Sequence, residues 1–205
     1  ITRVVGSAYA DTFNDGGIGD TYEGMAGGDT YIFGDDWGTD TVIDTAGNDT
    51  LSFAPGANGI AVDFTDSFGT LVATEGSNRL DAASIETVEG STGDDVFTAG
   101  LGETVNADVL GGTGNDRFVV ETGSDFAGSV DGGADEDTID YSAQFGNIDR
   151  SAGSPNFSGS LAGIEKVQHP LTVPNGLTSV VGLIQDGVDA TVGALEIPLL
   201  GNIGA

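Results

Sequence analysis

The sequence predicts an all-β fold, a right-handed parallel β-helix or β-roll in which short strands stack as a solenoid, followed by a short C-terminal amphipathic helix. Two repeats predict the solenoid. Asp11-Thr-Phe13, Asp20-Thr-Tyr22, Asp29-Thr-Tyr31, Asp40-Thr-Val42 and Asp49-Thr-Leu51 are five copies of an Asp-Thr-apolar triplet, their aspartates 9, 9, 11 and 9 residues apart. Further along, one period of 21 residues relates Val88, Val109 and Val130; Asp95, Asp116 and Asp137; Phe97, Phe118 and Ile139; and Gly90, Gly111 and Gly132. A fixed period dictates architecture before any local propensity does. Each unit has a glycine half, which can take the positive φ of a tight turn, and a Thr-apolar half suited to a very short strand with one residue pointing inward.

Residues 1–8 lead in, with Val4-Val5-Gly6-Ser7 reading as a first strand and turn. The first repeat block covers 9–53. Within it Asp35-Asp36-Trp37-Gly38 lengthens one turn by two residues, which accounts for the single spacing of 11. Trp37 reads as an aromatic plug at the coil edge more readily than as a binding aromatic. From Ala54 to Ser84 the repeat lapses, and Ile60-Ala-Val-Asp-Phe64 and Leu71-Val72 read as short strands. The second block starts at Ile85. Its best-formed unit is Leu110-Gly-Gly-Thr-Gly-Asn-Asp-Arg-Phe118, and Asp131-Gly-Gly-Ala-Asp-Glu-Asp-Thr-Ile139 differs in placing Asp135 where the former has glycine. After Pro170, Leu177, Val180, Val181, Ile184, Val188, Val192 and Leu195 lie at helical spacing. They predict an amphipathic helix over 177–195 that caps the solenoid or leads to a following domain. The expected division is therefore 1–169 and 170–205.

Stacked units place like positions about 4.8 Å apart, so the repeat aspartates form columns of like charge. Two unit charges about 5 Å apart at an effective dielectric near 20 repel by roughly 3 kcal/mol. A hard divalent cation between units reverses that sign, and calcium accepts carboxylate and carbonyl oxygens in flexible geometry. Several calcium ions are therefore expected. The candidate ligands are Asp11, Asp20, Asp29, Asp40, Asp49, Asp95, Asp116 and Asp137, together with turn positions Gly27, Gly38, Gly93, Gly111, Gly112, Gly114, Gly132, Gly133 and Asp135. The competing reading is that the aspartates merely end turns by hydrogen-bonding the backbone. Turn-making does not require the same acid in every unit.

A larger echo links the blocks. Asp49-Thr-Leu-Ser-Phe leads to Ala83-Ser-Ile-Glu-Thr-Val88, and Asp137-Thr-Ile-Asp-Tyr leads to Ala162-Gly-Ile-Glu-Lys-Val167. With the glycine-aspartate nonapeptides, this resembles the RTX (haemolysin-type) calcium-binding repeat proteins over roughly residues 1–168. Two turns depart from the pattern: Gly16-Gly-Ile-Gly-Asp20 is one residue short, and Gly90-Ser-Thr-Gly93 lacks the second glycine. The resemblance implies a segment of a large secreted or cell-surface bacterial protein, such as an adhesin stalk, spacer or surface-layer element. It also implies export unfolded by a one-step (type I) exporter and folding in external calcium. Two alternatives stay open: an accessory domain of a secreted protease, lipase or polysaccharide epimerase, or a carbohydrate-binding module. Expected partners are calcium and, beyond it, surface glycans or other copies of the chain.

Composition bounds the rest. With 33 acidic against 5 basic residues and a formal charge of −28, the 205-residue chain is unsuited to nucleic acid or to an anionic membrane. No run is long enough to span a bilayer, and the first residues do not read as a signal peptide. The start without Met reads as a fragment of a longer chain. Cysteine is absent, so metal would have to take the place of disulfides. The single histidine, His169, has no second His or Cys with which to build a zinc site, and no nucleophile motif occurs. A non-enzymatic role is expected.

Overall fold

The computed structural model describes residues 3–17, 19–64, 70–144 and 159–168. Contacts divide the chain at Pro170, and every described residue falls in the first unit, Ile1–Pro170. The helix expected at 177–195 lies outside the described residues. Within them the protein is all-β, with no helix.

In the first block the strands are β1 (Arg3–Val5), β2 (Thr12–Asn14), β3 (Thr21–Glu23), β4 (Thr30–Ile32), β5 (Thr39–Ile43) and β6 (Thr50–Ser52). Three longer strands follow: β7 (Ala61–Phe64), β8 (Thr70–Glu75) and β9 (Asn78–Ala83). The second block holds β10 (Thr87–Glu89), β11 (Val96–Ala99), β12 (Thr104–Val105), β13 (Asp108–Thr113), β14 (Arg117–Val120), β15 (Asp125–Phe126), β16 (Val130–Ala134) and β17 (Thr138–Asp140), and β18 (Leu161–Ala162) and β19 (Lys166–Gln168) end the described chain. Odd- and even-numbered strands of the first block go to different sheets. One sheet has ten strands in the order β1-β3-β5-β9-β8-β7-β11-β14-β17-β19, the other seven in the order β18-β16-β13-β10-β6-β4-β2. A third, two-stranded sheet pairs β12 with β15. The 21-residue unit is longer than two 9-residue units because each unit adds a strand of this third sheet.

Pairing is parallel except around β8. The columns of the sequence are direct neighbours: Val88 pairs with Val109 and Val109 with Val130, while Phe97 pairs with Phe118 and Phe118 with Ile139. In the first block Phe13 pairs with Tyr31 and Tyr31 with Leu51. Period-2 alternation explains the burial, since the threonine of each triplet stays near solvent while the following apolar residue goes inside. Phe13 of the seven-stranded sheet meets Tyr22 of the ten-stranded sheet edge-on at 5.8 Å, so inward residues of both sheets build one core. Trp37 is buried there against Phe33 and Phe53.

Where the repeat lapses, the structure holds more order than the pattern predicts. β8 runs antiparallel to both β7 and β9, and the turn at Gly76 (φ 58°) joins β8 to β9. The outer two strands then pair in parallel with the blocks on either side, β9 with β5 and β7 with β11. The hairpins thus carry the ten-stranded sheet across the break.

Phe118 is fully buried, stacked on Phe97 at 5.2 Å and edge-on to Phe126 at 6.4 Å. Phe118→Ala should lower stability by about 3–5 kcal/mol in chemical denaturation. A loss under about 1 kcal/mol would show that this stack does not hold the second block together.

Candidate metal centre

Each repeat aspartate except Asp40, which lies within β5, closes a turn just before its strand. The carboxylates are then linked along the stack. Asp11 N–H donates to Asp29 Oδ1 at 2.8 Å, Asp29 N–H to Asp49 Oδ1 at 2.7 Å, and Asp49 N–H to Glu86 Oε2 at 2.9 Å. Asp20 N–H donates to Asp40 Oδ1. In the second block Ile60, Asp95 and Asp116 donate to Asp95, Asp116 and Asp137 in turn, each at 2.8 Å, and Asp137 N–H donates to Glu165 Oε2 at 2.8 Å. The aspartates thus bond a neighbouring unit's backbone, not only their own turn.

One oxygen of Asp29, Asp40, Asp49, Asp95, Asp116 and Asp137 is occupied in this way. The second, Oδ2, is buried without a hydrogen-bond partner in Asp29, Asp40, Asp49, Asp116 and Asp137. An orphaned buried carboxylate oxygen carries its full desolvation penalty, so five of them in equivalent places call for a counter-charge. Space for it exists beside the glycines. A Cβ on Gly111 would strike both Asp116 Oδ2 and Gly132 O, and one on Gly132 would strike Asp137 Oδ2 and Gly163 O. Carboxylate and carbonyl oxygens therefore converge where a side chain is missing. Two groups of three carboxylates could each hold a metal ion: Asp15, Asp20 and Asp40, and Asp29, Asp44 and Asp49, with donor atoms within 4.8 Å of one another in each. All these donors are hard oxygens.

The other expected ligands divide. Asp11 and Asp95 present no orphaned oxygen: Ser7 N–H donates to Asp11 Oδ2 at 2.6 Å, and Ser91 N–H to Asp95 Oδ2 at 2.7 Å. Ser91 stands where the best-formed unit has its second glycine, and its hydroxyl also reaches Asp95 Oδ1 at 2.7 Å. For these two the turn-closing role is real. Gly27, Gly38, Gly112, Gly114 and Gly133 have positive φ, and so does Asp135 at 81°, the exposed counterpart of Gly114. The Gly38 carbonyl accepts Arg79 N–H at 2.7 Å and so serves the sheet. Gly93 donates its N–H to Ser91 Oγ at 3.0 Å.

Six site residues were not anticipated from sequence. Glu86 and Glu165 end the columns, and Glu86-Thr-Val88 is the Asp-Thr-apolar triplet with a longer acid, pairing Thr87 with Thr50. Asp15 and Asp44 each lie four residues after a repeat aspartate and one past a strand, a spacing the sequence does display. Tyr22 and Tyr31 reach these two with their hydroxyls.

The electrostatics agree with an uncompensated site. Burial, opposed by the backbone bond and aided by neighbouring acids, pushes Asp116 up to about 7 and Asp49 up to about 6. Burial likewise raises Asp29, Asp40, Asp95 and Asp137.

Compared with known protein families and curated proteins, the chain matches no family model and no curated sequence. Its site therefore has to be read from its own residues. No helix among the described residues is long and apolar enough to cross a membrane.

A carboxyl whose pKa is higher folded than unfolded stabilises the fold in its protonated form. That contribution is complete below about pH 4 and is lost as pH rises through about 6 to 7. Chelated protein should keep more β-type circular dichroism at about pH 5 than at about pH 8. Bound metal inverts the dependence, because the ion must displace those protons. Metal affinity measured by calorimetry should fall as pH drops across the same interval, with proton release on binding. An affinity flat across it would exclude Asp116 and Asp49 from the ligand set.

Proposed function

We propose that the chain is a calcium-stabilised parallel β-solenoid, a non-catalytic structural segment of a large secreted or cell-surface bacterial protein of the RTX type. The observation that carries this reading is the ladder of repeat carboxylates, one oxygen bonded to the preceding unit's backbone and the other buried and orphaned beside glycine carbonyls. Alternation of successive strands between two sheets around one core supports the solenoid. Donors that are all carboxylate and carbonyl oxygens favour calcium over zinc, and over magnesium, which keeps its waters and demands a strict octahedron.

The role follows from the thermodynamics. Repulsion of roughly 3 kcal/mol per adjacent carboxylate pair opposes the metal-free fold. An ion that binds only the folded chain adds stability in proportion to the logarithm of its concentration over Kd. Such a segment stays unfolded where calcium is scarce and becomes rigid where it is plentiful, which suits export followed by folding outside the cell. The hard, acidic exterior then serves as a stalk or spacer.

Titrating calcium into chelated protein should produce a large gain of β-type circular dichroism and a higher melting temperature, with magnesium a poor substitute. Asp116→Asn keeps the side chain's size and turn bonding but removes its charge. It should weaken calcium binding by tenfold or more, roughly 1.4 kcal/mol. Identical spectra and melting temperatures with and without calcium would falsify the proposal.

A further inference from the structure

The two three-carboxylate groups differ from every other step of the ladder in the same two respects. In the second block the residue two places after the aspartate is Phe97, Phe118 or Ile139, and the positions over the carboxylates are Gly90, Gly111 and Gly132. Tyr31 stands two places after Asp29, and its hydroxyl donates to Asp44 Oδ2 at 2.5 Å. Thr45 N–H donates to Asp44 Oδ1 at 2.6 Å, so Asp44 offers a cation only the second lone pair of Oδ2. Asp44 itself continues the column of Gly6 and Gly24, since Val5 pairs with Glu23 and Glu23 with Ile43. A Cβ on Gly24 would strike Asp29 Oδ2, Asp44 Oδ2 and Tyr31 Oη together, so these three atoms face one small space. Asp29 and Asp49 are buried with one unpartnered oxygen each; that of Asp29 faces this space, and Asp49 brings a carboxylate oxygen within 4.8 Å of those of Asp29 and Asp44. The second group repeats the design: Tyr22, two places after Asp20, donates to Asp15 Oδ1 at 3.1 Å beside Asp40, whose Oδ2 is orphaned. Tyrosine and third carboxylate occur together twice, and neither occurs at the second-block steps.

We propose that Asp44 converts the Asp29–Asp49 step into a three-carboxylate site for a hard cation, with Tyr31 as the positioning residue that aims Asp44. This site fills before those of the second block and prefers trivalent to divalent ions more strongly than they do. The inference rests on the reading of the ladder as a cation-binding one and specifies which step binds first and why.

Charge decides the preference. Three carboxylates carry −3, so calcium leaves the site at −1 whereas a trivalent lanthanide neutralises it. A two-carboxylate step is neutral with calcium and is left at +1 by the trivalent ion. Inside the protein, where charges are poorly screened, both differences favour the trivalent ion at Asp44 relative to Asp116. Size permits it as well. Oxygens that bind one calcium ion lie up to about 5 Å apart across it, which matches donor atoms within 4.8 Å of one another. The Asp15 group has the same charge but is only partly buried, so its affinity is lower.

The test is a titration of the full chain with calcium and, separately, with terbium, followed by calorimetry and by tyrosine-sensitised terbium luminescence. Wild type should show a tight terbium phase that calcium displaces poorly, then weaker phases. Asp44→Asn should weaken the tight phase by about tenfold or more and bring its terbium-to-calcium preference down to that of the remaining sites. Asp81→Asn, an equal charge change at an exposed pair with Arg79, should leave every phase in place. Tyr31→Phe keeps all three carboxylates and should lower the ion preference of the tight phase, which a purely structural hydroxyl would not do. An Asp44→Asn protein that titrates like wild type overturns the proposal. The calcium reading itself survives that outcome if Asp116→Asn still loses a site, and falls with it if both variants behave as wild type. Should Asp44→Asn lose its β-type spectrum even in excess calcium, Tyr31→Phe decides: an unchanged terbium-to-calcium ratio refutes the assignment.

Discussion

The constraint on which this structure depends is the stacking of buried carboxylates at the distance between neighbouring strands. Asp29, Asp40, Asp49, Asp95, Asp116 and Asp137 are all buried, where acids are seldom found without a partner. The ten-stranded and seven-stranded sheets would let apolar residues stack at that spacing with no penalty. Acids in the same register repel one another instead. The strands that carry them are short, mostly of three or four residues. The glycines belong to the same constraint, because a side chain at Gly111 or Gly132 would fill the space where carboxylate and carbonyl oxygens meet. Acid, glycine and short strand therefore form one design.

Much of this was legible in the sequence because the repeat and the register are one quantity. The 21-residue columns of Val88 and Phe97 reappear as direct cross-strand pairs, and the threonine-apolar alternation reappears as exposed and buried faces. What the sequence did not disclose lay where the repeat broke or where an unlike residue took over a repeated place. β8 and β9 carry no repeat motif, so nothing in the spacing announced that antiparallel hairpins keep the sheet continuous. Glu86 and Glu165 stand in the echoed Ile-Glu-x-Val segments but do not read as members of the acid column, since a different acid hides a column when identity is the test. Asp44 stands in a column of glycines, and its partner Tyr31 reads as an ordinary inward aromatic until its hydroxyl is placed.

The same logic separates the repeat aspartates from one another. Ser7 and Ser91 supply amides that saturate Asp11 and Asp95, so those two acids close turns much as a backbone-capping residue would. Asp116 and Asp137, with glycine in that place, are left with an oxygen to offer. One residue in the turn thus divides an acid whose Oδ2 is bonded from one with that oxygen to spare, although the aspartates themselves are indistinguishable in sequence.

The ladder of side-chain bonds also has a direction. In every rung the amide belongs to the earlier strand and the carboxylate to the later one, from Asp11 to Asp29 to Asp49 and from Asp95 to Asp116 to Asp137. Glu86 and Glu165 end the sequence by turning their own amides to the carbonyls of Asp49 and Asp137, so that they ask for no further acid. The two ends of such a stack are chemically unequal. Losing a unit from the front frees a carboxylate, which water accepts readily. Losing one from the back takes away the carboxylate that an amide of the preceding unit was bonded to. Growth and shortening of the array by duplication or deletion are therefore tolerated unequally, and a glutamate is the residue that lets a stack come to a stop.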